Sequence, residues 1–419
     1  MLKPLFLITF CLFCFCNHSN AQTGEIPTAS FTTEQNRTKE FRNLVSNSIN
    51  KNLSLPLTDS TEENWQAAFY ALELLQFKPA WVEGKIRQGF DSIGKRSLPF
   101  QRAFLELTYT NYHSEFIPQV AGLLKQTNNP KLFAMCVEYL TMNNRAAEFK
   151  NLILKRIDER SFDSGITKTE PFLSIIKNKL SDKASVMPPL SDLLNKSLLP
   201  GEIVMFSFQR KNRDYPGLVL VRSKDGSFVK DETGNYFSVP QLARSITNMP
   251  GYLTNGNTPQ GIFKMTGFAV SRSNFIGPTT NVQMLMPFET STDIPDSISK
   301  SLAENYSLLL PVSWKNYGPV YGSYFAGLAG RTEIIAHGTT VNPAYYNKQP
   351  YYPLTPTQGC LCTKELWSTT DGKRMESDQQ KLVNALTAAG GATGYCLVIE
   401  IDDLQKPVSI EEILPYLKL

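Results

Sequence analysis

The stretch SDKASVMPPLSDLLNKSLLPGE, residues 181–202, separates two different textures of sequence. Its prolines and serines mark it as a connection rather than an element interior. On its N-terminal side, apolar residues recur at i, i+3, i+4 and i+7 in NWQAAFYALELLQF (64–77), AWVEGKIRQGFDSIG (80–94), LPFQRAFLELTYTNY (98–112), EFIPQVAGLLKQ (115–126), KLFAMCVEYLTM (131–142) and AAEFKNLILKRI (146–157). That spacing predicts amphipathic helices, and the short breaks between them predict stacked helical hairpins. On its C-terminal side come short β-branched and aromatic runs: EIVMFSF (202–208), GLVLVR (217–222), SFVKD (227–231) and YFSVP (236–240). Turns such as KDG and ETGN punctuate them. TEIIAHG (332–338) and GYCLVIEID (394–402) read as further strands, and SDQQKLVNALTAAGG (377–391) as a helix with Ser377 as N-cap and Gly390 closing it.

The expected fold class is therefore α+β. A polar leader (22–54) precedes an all-helical, solenoid-like domain (55–180), a linker (181–197) and a β-rich domain (198–419). At the very start, Lys3 and the apolar run LFLITFCLFCFC (5–16), followed by NHSNAQ, have the form of a cleaved signal peptide ending at Ala21. The apolar run is shorter than the ~20 residues of a membrane span. The expectation is a soluble, exported protein without a stable membrane span. It is placed in the periplasm because LPYLKL at the C-terminus has no wall-sorting character.

Removing the signal removes Cys11, Cys14, Cys16 and His18, which leaves Cys136, Cys360, Cys362 and Cys396 with His113 and His337. Four cysteines in so long a chain do not make a disulfide scaffold. With 42 basic and 38 acidic residues and no basic block, nucleic-acid binding is not expected. His113, in TNYHSEF, reads as a capping or solvated residue at a helix junction, and Cys136 and Cys396 as core. In the C-terminal half this leaves one histidine, His337, and the pair Cys360 and Cys362. One histidine and no Cys-x-x-Cys or His-Glu-x-x-His spacing argue against a metal site, so no metal or cofactor is expected. An activated thiol fits better: an imidazole takes the thiol proton, and glycine beside the cysteine permits a sharp turn with amides facing an oxyanion. No histidine follows Cys360, unlike papain-like enzymes. The segment between the motifs is a proline- and tyrosine-rich loop, unlike caspase-like enzymes.

Three motifs in order, NGNTPQGIFKMTG (255–267), IIAHGTT (334–340) and TPTQGCLC (355–362), resemble the YkuD-type L,D-transpeptidase catalytic domain over most of residues 200–402. The resemblance implies that Cys360 attacks a carbonyl of a peptidoglycan stem peptide and expels its terminal D-residue. The acyl group then passes to a neighbouring stem's amine, or to water. It implies that His337 is the base, Gly359 the oxyanion turn and Thr357 the family's Ser/Thr. Gly338, Thr339, Gln358 and Tyr351 join Thr357 as expected substrate-side residues: Gly338 lets a substrate backbone approach, and the cluster Tyr345, Tyr346, Tyr351 and Tyr352 reads either as a substrate-facing lid or as a packed loop. The helical domain would position the catalytic domain or bind a protein partner. Two positions depart from the family pattern: Gln358 stands where histidine is frequent, and Cys362 where arginine or asparagine is. Gln358 cannot titrate. Cys362 is open to two readings, space filling or a resolving thiol for an oxidised Cys360. Two other outcomes share the same residues: an L,D-carboxypeptidase or endopeptidase using water, and a non-catalytic wall-binding scaffold.

Overall fold

A computed structural model describes residues 26–159, 169–181, 185–290 and 295–417. The expected signal segment, 1–21, lies outside these residues. The N-terminal half is helical: α1 (Glu34–Asn43), α2 (Asn52–Ser54), α3 (Glu62–Leu74), α4 (Ala80–Ser92), α5 (Leu98–Asn111), α6 (Ile117–Gln126), α7 (Pro130–Thr141), α8 (Ala146–Asp158) and α9 (Thr169–Leu180). The start signals are local. Ser97 caps α5 by accepting from the Phe100 amide, and Asn129 caps α7 ahead of Pro130 at its first position. The apolar stripes then dictate the packing. α3, α5, α7 and α9 pack in succession, each on the next, as stacked helical hairpins do.

The leader is not a free segment. A π-helical stretch, Leu44–Lys51, joins α1 to α2, and Ile49 and Leu53 are fully buried against α3. Ahead of α1, the Ala29 and Glu34 amides donate to the carbonyls of Gly372 and Thr369, both 2.8 Å. The leader thus ties the helical half to the far end of the chain. The expected linker is also partly structured. α10 (Leu190–Leu194) packs Leu190, Leu193 and Leu194 into the second half's outer core, because three leucines within five residues have apolar surface to bury.

Eight strands of the second half close into a barrel in the order β1-β10-β4-β5-β6-β7-β3-β2. These are β1 (Ile203–Arg210), β2 (Gly217–Arg222), β3 (Val239–Leu242), β4 (Gly261–Ala269), β5 (Asn281–Leu285), β6 (Ile335–His337), β7 (Leu361–Thr363) and β10 (Thr393–Asp402); β8 (Glu365–Trp367) and β9 (Arg374–Ser377) form a separate hairpin. Ser227–Asp231, expected as a strand, makes only isolated bridges. β1 is buried along its whole length because both its faces are covered. Ile203 and Met205 join the core shared with the helical half. Val204, Phe206 and Phe208 face an outer core with α10, α11 (Asp296–Asn305) and α14 (Ile410–Leu417). α12 (Gly322–Leu328) lies against β4, and α13 (Asp378–Ala388) follows Ser377, whose hydroxyl accepts from the Gln380 amide at 2.8 Å.

The two halves are joined by directed contacts as well as by the common core. Tyr252 donates to Glu138 (2.7 Å), Lys131 to Thr254 (2.9 Å), Asn255 to Glu106 (3.1 Å) and Tyr346 to the Leu74 carbonyl (2.9 Å). The residues 251–258 and the tyrosine loop 342–354 are therefore the barrel's docking face for α3, α5 and α7.

Candidate active site

β6 and β7 are parallel neighbours in the barrel, with Ala336 opposite Leu361 and His337 opposite Cys362. Residues opposite one another in a parallel pair, and residues two apart along a strand, project to one face. His337 at the end of β6 and Cys360 immediately before β7 therefore share a face, opposite to the barrel-core residues Ala336 and Leu361. Gln379 of α13 holds the two strands together: its side chain donates to the Ala336 carbonyl (3.1 Å) and accepts from Thr363 (2.9 Å).

His337 is only 4% exposed. Its Nδ1 pairs with the Gly338 carbonyl, so Nδ1 carries the hydrogen and Nε2 the lone pair. Burial pulls its pKa down to about 4, against a smaller opposing effect of that carbonyl. The imidazole is neutral at pH 7. Cys360 is half-buried, and its thiol donates to the Glu333 carbonyl at 3.5 Å. His337 and Cys360 line a single cleft together with Thr339, Thr357 and Gln358. Apart from Ser273, its remaining walls are mostly apolar, including Ile246 and Phe275 of the strand-rich half and, from the helical half, Tyr70 and Leu74 of α3. Such an arrangement can deliver a thiol to a carbonyl beside a neutral base, in a cleft partly roofed by another domain.

Several residues stand elsewhere than expected. Gly338 does not make room for a ligand: a Cβ there would lie 2.2 Å from the carboxyl of Glu365. Glu365 is buried, accepts from Thr279 and Ser377 (both 2.6 Å), and is pushed by burial up to about 7. It props the His337–Gly338 turn from behind, and nothing in the sequence singles it out. Tyr351 is fully buried and accepts from Gln76 at 2.8 Å, with the Arg244 guanidinium 4.9 Å from its ring centre. It is a docking residue and does not line the cleft. Thr339 does line it, its hydroxyl paired with that of Thr355 at 2.8 Å.

At the turn expected to face an oxyanion, the Gly359 amide itself is already engaged. That N–H donates to Thr357 Oγ1 at 2.9 Å, and the same hydroxyl donates to the Cys360 carbonyl at 2.9 Å. Gly359 serves instead as the hinge of the turn. Its φ is +117°, and a Cβ would meet Arg331 Nη2 at 2.0 Å. Arg331 is buried, and its guanidinium holds the carbonyls of Gly251, Gly256 and Asn257. Burial pulls it down to about 10, while the charges of Cys360 and Glu289 oppose that shift. A cation packed under the turn favours an anionic sulfur above it. Gly359→Ala should therefore lower the melting temperature and slow alkylation of Cys360 by iodoacetamide. The positive φ alone costs about 1–3 kcal/mol. Unchanged stability and alkylation would remove this role from Gly359.

Cys362 is fully buried and its thiol is pushed up by burial, which disfavours the thiolate that disulfide exchange requires. Space filling is the reading this favours. Cys136 and Cys396 are core residues, and His113 Nε2 lies 3.0 Å from the Thr110 carbonyl at the end of α5, as a capping histidine does. Among the described residues, no three His, Cys, Asp or Glu side chains gather as a metal site would need, and no helix is long and apolar enough to cross a membrane. Comparison with protein-family models, with characterised proteins and with solved structures finds no match for this chain.

Proposed function

We propose that the chain is an exported, periplasmic cysteine acyltransferase of the L,D-transpeptidase type, acting on peptidoglycan stem peptides in cell-wall remodelling. The observation that carries this reading is the single cleft lined by both Cys360, just before β7, and a neutral, tautomer-fixed His337 at the end of the adjacent parallel strand β6. His337 Nε2 takes the Cys360 proton as the sulfur attacks the stem-peptide carbonyl. The tetrahedral adduct collapses, the C–N bond to the terminal D-residue breaks, and the imidazolium gives its proton to the departing amine. The acceptor amine then attacks the thioester, loses a proton to His337 and releases the thiol. Arg331 beneath the turn supports the sulfur while it is anionic. Thr357 and Thr339 keep their hydroxyls within the turn and loop, so they position the cleft walls and take no part in the bond changes.

The expected products are free D-residue and a peptide joined to the acceptor by a new amide. Liquid chromatography and mass spectrometry of a stem tetrapeptide incubated with the protein and an amine acceptor would detect both. Absence of D-residue release would count against the reading. Release with only hydrolysed peptide would convert it to an L,D-carboxypeptidase.

A further inference from the structure

A second cavity lies against the thiol cleft, and the two share the wall residues Tyr70, Ile246, Thr357 and Gln358. It contains about 50 Å³, room for roughly three or four water-sized groups at ~10–15 Å³ each. Two carboxyls from the helical half line it: Glu73 of α3 and Glu106 of α5, each 5% exposed. They are not equivalent. Glu106 has Arg102 Nε at 3.3 Å, accepts from Asn255 at 3.1 Å and feels the charge of Lys131 from α7. The Oε1 atoms of both are buried without a hydrogen-bond partner, but that of Glu106 has the Arg102 ion pair and that of Glu73 has no such cation beside it among the described residues. Burial first, and repulsion from Glu106 second, push the Glu73 carboxyl well above the usual carboxylate range, which favours its protonated form in the empty cavity; burial raises Glu106 too, against the opposing Arg102, Asn255 and Lys131.

A buried, unpartnered carboxyl facing a cavity is an unmet demand for a donor. Two carboxyls supply too few oxygens for a divalent cation, which takes six or more. A primary ammonium has three donors on one atom, and its size suits the space. The proposed reaction has an amine as its second substrate.

We propose that the Glu73–Glu106 cavity is the seat of the acceptor's primary ammonium group, held beside the acyl-enzyme on the helical-domain side of Gln358. The proposal rests on the acyltransferase reading and gives the helical half a part in choosing amine over water. When the ammonium enters, Glu73 in its carboxylate form is the counter-ion; before attack the ammonium gives one proton to Glu73, whose raised pKa suits it to accept, and the neutral amine moves past Gln358 to the thioester. Gln358, which stands at the wall common to both spaces, separates the seat from the thioester.

The test has two arms. In the first, n-butylammonium chloride should raise the melting temperature of the wild-type protein above that in equal sodium chloride or n-butanol, and Glu73→Gln should abolish the difference. Glutamine is nearly isosteric and replaces a carboxyl whose neutral form burial favours, so the variant should fold. In the second, acyl transfer from a stem tetrapeptide is partitioned between a lysine-containing acceptor peptide and water. The ratio of amide to hydrolysis product should fall about tenfold or more in Glu73→Gln, the scale of one lost charge-assisted hydrogen bond. An unchanged ratio, or a melting shift that survives in Glu73→Gln, would overturn the seat while leaving the acyltransferase reading intact. If the wild type forms no acyl-enzyme, that reading fails and the melting arm alone decides whether the cavity binds ammonium.

Discussion

Cys360→Ala should reduce stem-peptide turnover to background while the protein melts within a degree or two of wild type. The side chain is half-buried, its thiol donates to the Glu333 carbonyl at a long 3.5 Å, and alanine keeps its Cβ in place, so the fold should persist. The chemistry depends on it entirely, since among the described residues no other thiol is placed to replace it. Cys362, Cys396 and Cys136 are fully buried with thiols pushed up by burial. Cys360→Ser should be nearly as inactive, because a hydroxyl beside the same base is far less ionised. Cys396→Ala should retain activity. Substantial turnover by Cys360→Ala would rule out the covalent route.

For His337→Gln the expected loss in kcat/KM is about 10²–10⁴-fold, the usual contribution of general acid–base help. The pH dependence is more specific. The base must be neutral, and burial lowers its pKa to about 4. The ascending limb of kcat/KM should therefore sit near pH 4 instead of near the ordinary value of ~6.5, and should vanish in the glutamine variant. The same group affects stability. Its folded pKa lies below the unfolded one, so between about pH 4 and 6.5 the unfolded chain binds more protons, and stability falls as pH drops through that window. His337→Gln should flatten that slope. A variant with wild-type rate and profile would mean that another group takes the proton.

The division into a helical half and a strand-rich half was legible at residues 181–202, because helical and strand periodicities differ so clearly there. The leader's docking was not. Between residues 34 and 54 the polar residues dominate, and Leu44, Ile49 and Leu53 follow a π-helical spacing that does not read as a regular stripe. At the site, His337 and Cys360 were legible from motif order, as were Thr339, Thr357 and Gln358. Gly359 was legible as a sharp turn and Gly338 was expected to admit a substrate backbone, but what approaches either glycine was not legible. Their neighbours are Glu365 and Arg331, single charged residues whose burial leaves no local pattern. The two readings of the tyrosine loop, lid or packed loop, stayed open for a related reason. An aromatic, proline-rich loop can cover a ligand or another domain, and only the distant partners Gln76 and Leu74 decide which. The acid pair Glu73 and Glu106 was hidden in the same way, on two helices that sequence alone does not bring together.

The central claim is that Cys360 forms an acyl-enzyme with His337 as its base. Peptide-resolved mass spectrometry of the full chain after incubation with a carbapenem, or with a stem tetrapeptide, tests it most directly. The account predicts one covalent adduct on the peptide containing Cys360, absent from Cys360→Ala and much slower to form in His337→Gln. An unmodified wild-type protein, or an adduct that forms equally well in Cys360→Ala, would contradict it.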